Sequence, residues 1–308
     1  MNAFIQALDA VLTIFILILI GYFLKKKNKI NDAVGNFLSF FVVNITLPCS
    51  VFGNICKHLS IKQITQIPMY MFVVALSVIL TLICAWLMAV IFKIPLQKKG
   101  SFITMAAFNN TIFMGLPVNL ALFGEKSSII VICYYIASTM LFWTVGIKII
   151  GGKSQAGRFS LPTPLYGMAA GFLYLLINSL FRNFSLPSCI TKTIEYMSGL
   201  TTPLSMIFTG YVLGNFGVRN IKADRSVILG IIGRFIVSPA ILISIICFIP
   251  MSELARNVFI VQSFMPVMAS QTIIARQYNI NEEYPALLVT LSTLLSLVII
   301  PIVKTVIA

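Results

Sequence analysis

Charged residues are scarce in this sequence, and acidic ones are scarcer than basic ones. Only 10% of the 308 residues are charged, with 22 Lys and Arg against 8 Asp and Glu, whereas 59% are hydrophobic. Apolar runs of about twenty residues recur along the chain, and each is long enough to cross a hydrocarbon core about 30 Å thick. The composition therefore predicts an all-α polytopic membrane protein surrounded by a lipid bilayer.

Histidine and the motifs of soluble enzymes are also nearly missing. The single histidine, His58, lies in a predicted connection, so neither a Ser/His pair nor a His metal cluster can form within the membrane. No Gly-rich phosphate loop occurs, and the six cysteines show no C-x-x-C spacing. We expect no enzyme, no metal site and no cofactor, and no ATP-driven transport by this chain alone.

The net charge of +14 would suggest a nucleic-acid partner if the protein were soluble. Here the basic residues lie mostly in short connections between apolar runs, where the positive-inside rule accounts for them, so we expect no nucleic-acid partner. If the N-terminus is outside, the inside connections hold about twice as many Lys and Arg residues as the outside ones. This bias predicts a multi-pass protein with both termini outside, and we expect it in the plasma (inner) membrane.

Ten predicted spans follow from the apolar runs that are bounded by charges, prolines or glycines. They cover 4–24, 33–56, 68–92, 100–122, 128–150, 164–183, 194–216, 226–249, 256–276 and 284–306. The stretch 151–163 is predicted to be a cytoplasmic linker between five spans in 1–150 and five in 164–308. Because each half has an odd number of spans, the second half enters the membrane from the opposite side, which predicts two inverted five-helix repeats.

Short resemblances between the two halves support a duplication. The second span holds ITLPCSVFGN (45–54), and the seventh holds LTTPLSMIFTG (200–210). A constant offset aligns a threonine, a proline and a serine of the two segments. The residues expected to pack these spans against a crossing of interrupted helices are Thr46, Pro48, Thr201, Pro203 and Ser205.

The fourth and ninth predicted spans are interrupted by residues that suit a binding site. The fourth contains FNNTIFMGLP (108–117), and the ninth contains FMPVMASQTII (264–274). Pro117 cannot donate a backbone hydrogen bond, and unwound helix is tolerated in a bilayer only where it lines a cavity or is buried in protein. The alternative is a plain kink with amides that bond helix to helix. We favour a midplane substrate site with candidate residues Asn109, Asn110, Thr111, Met114, Pro117, Pro266, Ser270, Gln271 and Thr272.

Arg234 is the one charged residue well inside a predicted span. An unpaired guanidinium in that position needs a partner or a water-filled cavity. One interpretation is that its long side chain snorkels to the inner surface. The other is that it offers a fork of donors to a carboxylate substrate, which adds Arg234 to the candidate substrate-binding residues.

Four segments of the chain resemble the auxin efflux carrier family, which includes plant PIN-type auxin carriers and bacterial malate or malonate permeases. They are NTIFMGLPVNLALFG (110–124), ITLPCSVF (45–52), MPVMASQTIIARQYNIN (265–281) and STLLSLVIIPI (292–302). The resemblance implies ten transmembrane helices in two inverted repeats, similar to bile acid sodium symporters, with broken helices 4 and 9 crossing at the midplane. It also implies elevator-type transport, in which a domain with the crossing moves against a scaffold.

The match to plant members is incomplete in the ninth span. The family's fourth-span Asn and Pro fall on Asn110 and Pro117, but PIN-type carriers have a second proline where this chain has Gln271 and an amide where it has Val267. This departure suggests a ligand other than auxin. The predicted function is secondary active or facilitative transport of small organic anions, with a dicarboxylate such as malate or malonate favoured. An auxin-like aromatic acid, an amino-acid-derived compound, a channel and a non-transporting sensor are the alternatives.

The resemblance leaves coupling and assembly open. It permits passive, proton-linked or sodium-linked operation, and amides, hydroxyls and free carbonyls at the crossing could hold sodium without a carboxylate. It also allows a homodimer formed through scaffold helices. A small organic anion and the lipid bilayer are the partners that we expect.

Overall fold

The computed structural model describes residues 2–58, 66–151, 163–180, 186–215, 224–268, 271 and 283–307. Regular structure within these ranges is helical, apart from one isolated backbone bridge between Asn109 and Val267. The prediction of an all-α protein is confirmed for this part of the chain. Most of the predicted linker 151–163 lies outside the described residues.

Helices α1 to α6 belong to the first half of the chain. Helix α1 is Asn2–Lys26, and α2 comprises Asp32–Phe41, the π turn Val42–Thr46 and Leu47–His58. Helix α3 is Ile67–Ile91, α4 is Leu96–Ala107, and α5 is Leu116–Phe123, which follows the π turn Thr111–Gly115. Helix α6 follows the 3-10 turn Glu125–Ser127 and comprises Ser128–Leu141, the π turn Phe142–Gly146 and Ile147–Gly151.

Helices α7 to α12 belong to the second half. Helix α7 is Pro164–Leu180, α8 is Ser188–Gly199, and α9 is Thr201–Asn215. Helix α10 comprises Arg225–Ile232, the π turn Gly233–Val237 and Ser238–Phe248. Helix α11 is Glu253–Ser263, and α12 is Glu283–Val306.

Five helical stretches of the described chain are long and apolar enough to cross a membrane. They are Asp32–Lys57, Ile67–Ile91, Glu125–Gly151, Arg225–Phe248 and Leu287–Val306. These stretches coincide with the second, third, fifth, eighth and tenth predicted spans. Large apolar side chains such as Phe72 and Trp86 are exposed on them, as expected for a surface that faces lipid. The count of ten spans stays a prediction.

Three of the π turns stand directly before a proline-containing helix turn, at Pro48, Pro117 and Pro239. In each case the residue before the proline donates its N–H to the carbonyl five positions back. In a regular helix a proline ring would clash with the carbonyl four positions back. A turn widened by one residue relieves this clash, so the helix continues through Pro117. The interruption that we expected at Pro117 lies instead at 108–110.

Two pairs of helices pack closely through glycines. Helix α1 packs along α9, and a side chain at Gly21 or Gly210 would overlap a backbone carbonyl of the opposite helix. Helix α7 packs along Leu47–His58 of α2, and a side chain at Gly167 would overlap the carbonyl of Pro48. Small residues permit such close approach between membrane helices.

The interrupted part of the chain lies deep inside the protein. Every residue from 101 to 112 is buried, and α3, α6 and α10 pack around this segment. Helices α4 and α11 reach it from the two halves of the chain. Backbone groups without helical partners are tolerated here because protein atoms surround them.

Candidate substrate site at the crossing of two interrupted helices

Two helices stop inside the protein, and the segments that follow them cross. Helix α4 ends at Ala107, and α11 ends at Ser263. The segments 108–110 and 266–268 then pair as a short antiparallel bridge, and we call these six positions the crossing. The resemblance implied such a crossing between the fourth and ninth helices.

Backbone hydrogen bonds close the crossing. The N–H of Asn110 donates to the carbonyl of Pro266 at 2.7 Å, and the N–H of Met268 donates to the carbonyl of Phe108 at 3.3 Å. Pro266 has no backbone N–H, so it takes part in the crossing only as an acceptor, through its carbonyl. These bonds satisfy polar groups that would be costly to leave unpaired in a bilayer.

Asn109 ties the crossing to its surroundings. Its side chain is 3% exposed, and its amide nitrogen donates to the carbonyl of Gln262 and lies 3.4 Å from the Tyr134 hydroxyl. Its amide oxygen accepts a hydrogen bond from the Thr111 hydroxyl at 2.6 Å. One amide thus links α11, α6 and the π turn before α5. The Asn109 side chain therefore forms its hydrogen bonds mainly with other groups of the protein.

The neighbouring Asn110 is placed differently. It is buried, and its carbonyl accepts the N–H of Gly115 at 2.9 Å. Among the described residues, no hydrogen bond involves its side-chain amide. Met114 and Pro117 follow it as buried residues of the π turn and of the first turn of α5. Of the two adjacent asparagines, Asn110 is therefore the stronger candidate for contact with a ligand.

Gln271 faces α4 across the site. It is 1% exposed, and its side-chain oxygen accepts a hydrogen bond from the Thr104 hydroxyl at 2.9 Å. Its side-chain nitrogen has no hydrogen-bond partner in the described part of the chain. The other two polar candidates of this segment, Ser270 and Thr272, lie outside the described residues.

Arg234 is fully buried and bonds both interrupted helices. It extends from the π turn Gly233–Val237 of α10, and its exposed fraction is 0%. One terminal nitrogen donates to the carbonyl of Ala106 at 2.8 Å. The other donates to the carbonyl of Ser263 at 2.5 Å and to the hydroxyl of Ser238 at 3.0 Å. The guanidinium does not snorkel to the surface, and two backbone carbonyls and one hydroxyl accept hydrogen bonds from three of its four terminal N–H groups.

Several buried polar atoms near the crossing have no hydrogen-bond partner among the residues that the structure describes. They are both side-chain amide atoms of Gln262, the side-chain oxygen of Asn119, the side-chain nitrogen of Gln271 and Nε of Arg234. Gln262 is fully buried, and a side chain at Gly115 would overlap its amide. Because buried polar groups normally have partners, these atoms are candidate positions for contact with water or a polar ligand.

The family model described as "Membrane transport protein" matches residues 6–164 and 160–304. The chain belongs to this transporter family. An uncharacterized transporter of Methanocaldococcus jannaschii is 30% identical over 304 residues, which cover 95% of this chain and 96% of the relative. An uncharacterized transporter of Methanothermobacter thermautotrophicus is 25% identical over 305 residues, which cover 97% and 98%. The resemblance to the auxin efflux carrier family is confirmed, whereas a closer kinship to malate or malonate permeases stays a prediction.

The seventh predicted span of the transporter packs against the interrupted fourth one. Helix α9 contacts the π turn Thr111–Gly115, where the rings of Phe113 and Phe208 lie 4.8 Å apart. Thr201 and Ser205 are buried in α9, and the Ser205 hydroxyl donates to the Thr201 carbonyl at 2.5 Å. Pro203 lies between them and is half-buried.

The second predicted span has other neighbours in the transporter. Thr46 is buried in the π turn of α2, and its hydroxyl lies 3.3 Å from the carbonyl of Val42, to which it donates. Pro48 lies against Gly167 of α7. Pro48 therefore contacts α7, and the packing of Thr46 and Pro48 against the crossing stays a prediction.

A cavity of about 800 Å³ lies between α2, α7, α8 and the end of α5. Its lining includes Ser50 and Thr201 from the two resembling segments, and Leu120 from α5. Lys57 and Glu195 also line it and form an ion pair at 2.7 Å. The cavity lies on the side of the transporter where α2 ends and α8 begins.

Sequence reasoning missed four polar residues at or beside the crossing, namely Thr104, Asn119, Tyr134 and Gln262. Each is a single polar residue in an apolar run, which is a weak signal by itself. Gln262 lies four positions before Pro266, and Asn119 lies two positions after Pro117. A search for polar residues within about one turn of each interruption would have found both.

Proposed function

We propose that this transporter carries small organic anions and that a dicarboxylate such as malate or malonate is the favoured substrate. The observation that carries the proposal is the crossing, where buried amides with unpartnered atoms surround two interrupted helices. Transporters commonly bind their substrates near the bilayer midplane between discontinuous helices. Asn110, Gln271 and Gln262 are the proposed hydrogen-bonding groups for the substrate, and Met114, Pro117 and Pro266 shape the site.

The charge distribution around the crossing favours an anion. Helix ends carry partial charges, negative at the C-terminus and positive at the N-terminus. Arg234 bonds carbonyls at the C-terminal ends of α4 and α11, which offsets the negative ends. The N-terminal end of the turn Thr111–Gly115 has no such offset. Among the residues whose side-chain burial the structure describes, which do not include Asp9 and Glu283, no acidic one is buried. A carboxylate at that end would accept hydrogen bonds from backbone N–H groups and from the free amides.

Two inverted five-helix repeats, 1–150 and 164–308, are part of the proposal. Helix packing supports them, because α1 packs on α9 while α7 packs on α2, which are the corresponding pairs. The crossing supports them as well. The same number of positions separates Asn109 from Val267 and Tyr134 from Ser292. The hydroxyl of Tyr134 lies beside the Asn109 amide, and that of Ser292 accepts the N–H of Val267 at 3.1 Å.

We propose elevator-type alternating access for the movement of substrate. The helices that carry the crossing, α3 to α6 and α10 to α12, would move against the pairs α1 with α9 and α2 with α7. The close glycine contacts within those pairs support a rigid scaffold. The cavity beside α2, α7 and α8 supports a path from one side of the membrane, because its lining includes Leu120 of α5, the helix that follows the turn Thr111–Gly115.

The proposal places the protein in the plasma membrane with both termini outside. Lys25 and Lys26 end α1, and Lys98 and Asp224 join the starts of α4 and α10 by an ion pair. The positive-inside rule assigns connections of this kind to the cytoplasm. A homodimer through scaffold helices remains part of the proposal.

Counterflow in liposomes tests the proposal. The purified protein is reconstituted, the liposomes are loaded with one unlabelled acid, and entry of the same labelled acid is followed. The panel contains malate, malonate, succinate, indole-3-acetate and an amino acid. We expect saturable entry above equilibrium for a dicarboxylate, because a carrier exchanges its substrate across the membrane.

The other outcomes reject parts of the proposal. Entry without a transient excess indicates a channel, and no entry of any compound indicates a sensor. Faster exchange of indole-3-acetate or the amino acid than of every dicarboxylate would contradict the substrate class. Liposomes without protein provide the baseline.

A further inference from the structure

Among the residues whose side-chain burial the structure describes, Arg234 is the only charged one that is buried. No carboxylate lies among its hydrogen-bond partners, which are the carbonyls of Ala106 and Ser263 and the hydroxyl of Ser238. A buried guanidinium without an acidic partner is costly in a bilayer. The carbonyl groups that accept its hydrogen bonds must therefore stabilise the buried charge.

The two carbonyls occupy matching places in the two halves. Ala106 is the next-to-last residue of α4, and Ser263 is the last residue of α11. The number of positions between them is one fewer than between Asn109 and Val267, the paired residues of the crossing. Each helix C-terminus carries about half a negative charge, so two converging ends match one positive charge.

The same oxygen atoms form the kind of ligand set that suits a monovalent cation. In transporters with discontinuous helices, free carbonyls and half-helix C-terminal ends coordinate the coupling ion. Here two such carbonyls and a hydroxyl bond the guanidinium instead. Arginine also keeps its proton at physiological pH, so it does not serve as a proton carrier.

We propose that Arg234 is a built-in cation that holds the two half-helix ends in place of a coupling ion, so that this carrier works without sodium. The inference rests on the proposed function in one respect, because it concerns whether transport through the proposed substrate site is coupled to an ion. Arg234 is a positioning residue, since its terminal nitrogens bond backbone rather than leaving both free for substrate. Nε and one terminal N–H of the guanidinium remain without a partner among the described residues.

Thermal melting of the unmodified protein is the first test, and it needs no substrate. The Tm is measured in detergent across rising NaCl, with choline chloride keeping the ionic strength constant. We expect the Tm to stay within about 1 °C, because the carbonyls already have a cation. A saturable rise of Tm with sodium, absent with choline, would overturn the proposal.

The Arg234→Ala variant is the second test. Removing the guanidinium leaves the carbonyls without a counter-charge and opens a space of its own shape. We expect the Tm to fall by at least about 5 °C and to be restored, saturably, by millimolar guanidinium chloride but not by choline chloride. Arg225→Ala is the matched control, because Arg225 starts the same helix and is exposed.

Two results of this test would refute the role of Arg234. One is an unchanged Tm in Arg234→Ala. The other is a guanidinium response no larger than that of Arg225→Ala. If the Ala variant cannot be purified, Arg234→Lys takes its place, since it keeps the charge and we expect a folded, sodium-insensitive protein. A Tm of Arg234→Lys that rises saturably with sodium would indicate a sodium site and would contradict the proposal.

The substrate test and these tests fail independently. A protein that exchanges none of the acids in the panel can still show guanidinium rescue, which would reject the proposed function alone. A protein that exchanges malate but requires sodium would reject the built-in cation alone.

Discussion

Replacing Asn109 by Ala should destabilise the crossing, whereas the same replacement of Asn110 should not. The Asn109 amide bonds the carbonyl of Gln262 and the hydroxyl of Thr111, and it lies beside the Tyr134 hydroxyl. Truncation leaves the first two groups buried without that partner, at a cost of about 1–3 kcal/mol each. The total of roughly 2–6 kcal/mol corresponds to a fall in Tm on the order of 3–10 °C.

The assay is thermal melting in detergent, followed by size-exclusion chromatography of heated samples. Asn110→Ala should melt within about 2 °C of the unmodified protein, because its side-chain amide has no hydrogen bond to lose among the described residues. Thr111→Val and the double variant with Asn109→Ala complete a cycle, and the two losses should be less than additive since they share one bond. Equal losses of Tm in Asn109→Ala and Asn110→Ala would refute this reasoning.

Further predictions concern helix packing, polar atoms and pH. Gly210→Ala should lower the stability by about 1–3 kcal/mol because its side chain overlaps α1, whereas Gly199→Ala, with open space around it, should melt like the unmodified protein. Gln262→Leu should keep or raise the Tm yet abolish exchange, since it removes buried unpartnered polar atoms of the proposed site. Burial opposes ionisation of Asp224, but hydrogen bonds from Lys98 and others outweigh it and lower the pKa of Asp224 to about 2. Its stabilising effect is therefore present above about pH 4 and lost on acidification towards about pH 2, so Asp224→Asn should flatten the acid dependence of Tm.

Much of the fold could be predicted because membrane-spanning helices follow composition and length. The apolar runs coincide with five stretches that can cross a membrane. The clustered amides and prolines at 108–117 and 264–274 indicated interrupted helices, and the structure interrupts α4 and α11 at 108–110 and after Ser263. Polar residues in an apolar run are a strong local signal because each must be satisfied inside the protein.

The distribution of roles at the crossing could not be predicted from the sequence. Asn109 and Asn110 are identical neighbours, and only the antiparallel bridge directs one amide towards Gln262 and leaves the other without a described partner. Arg234 is far from its partners along the chain, so its carbonyl contacts depend on the packing of α10 against α4 and α11. Pro117 looks like a helix breaker, but the π turn before it lets the helix continue.

The most direct test of substrate binding at the crossing is counterflow of the best acid of the panel by Asn110→Ala and Gln271→Ala. Asn178→Ala and Gln97→Ala are the matched controls, because they remove the same side chains from exposed positions of α7 and α4. We predict that both variants lose at least about tenfold in exchange rate at low substrate, which corresponds to about 1.4 kcal/mol of binding. Asn110→Ala should melt near the unmodified protein, whereas Gln271→Ala should melt lower because it loses the bond from Thr104. Exchange by both crossing variants at the rate of their controls would contradict a substrate site at this crossing.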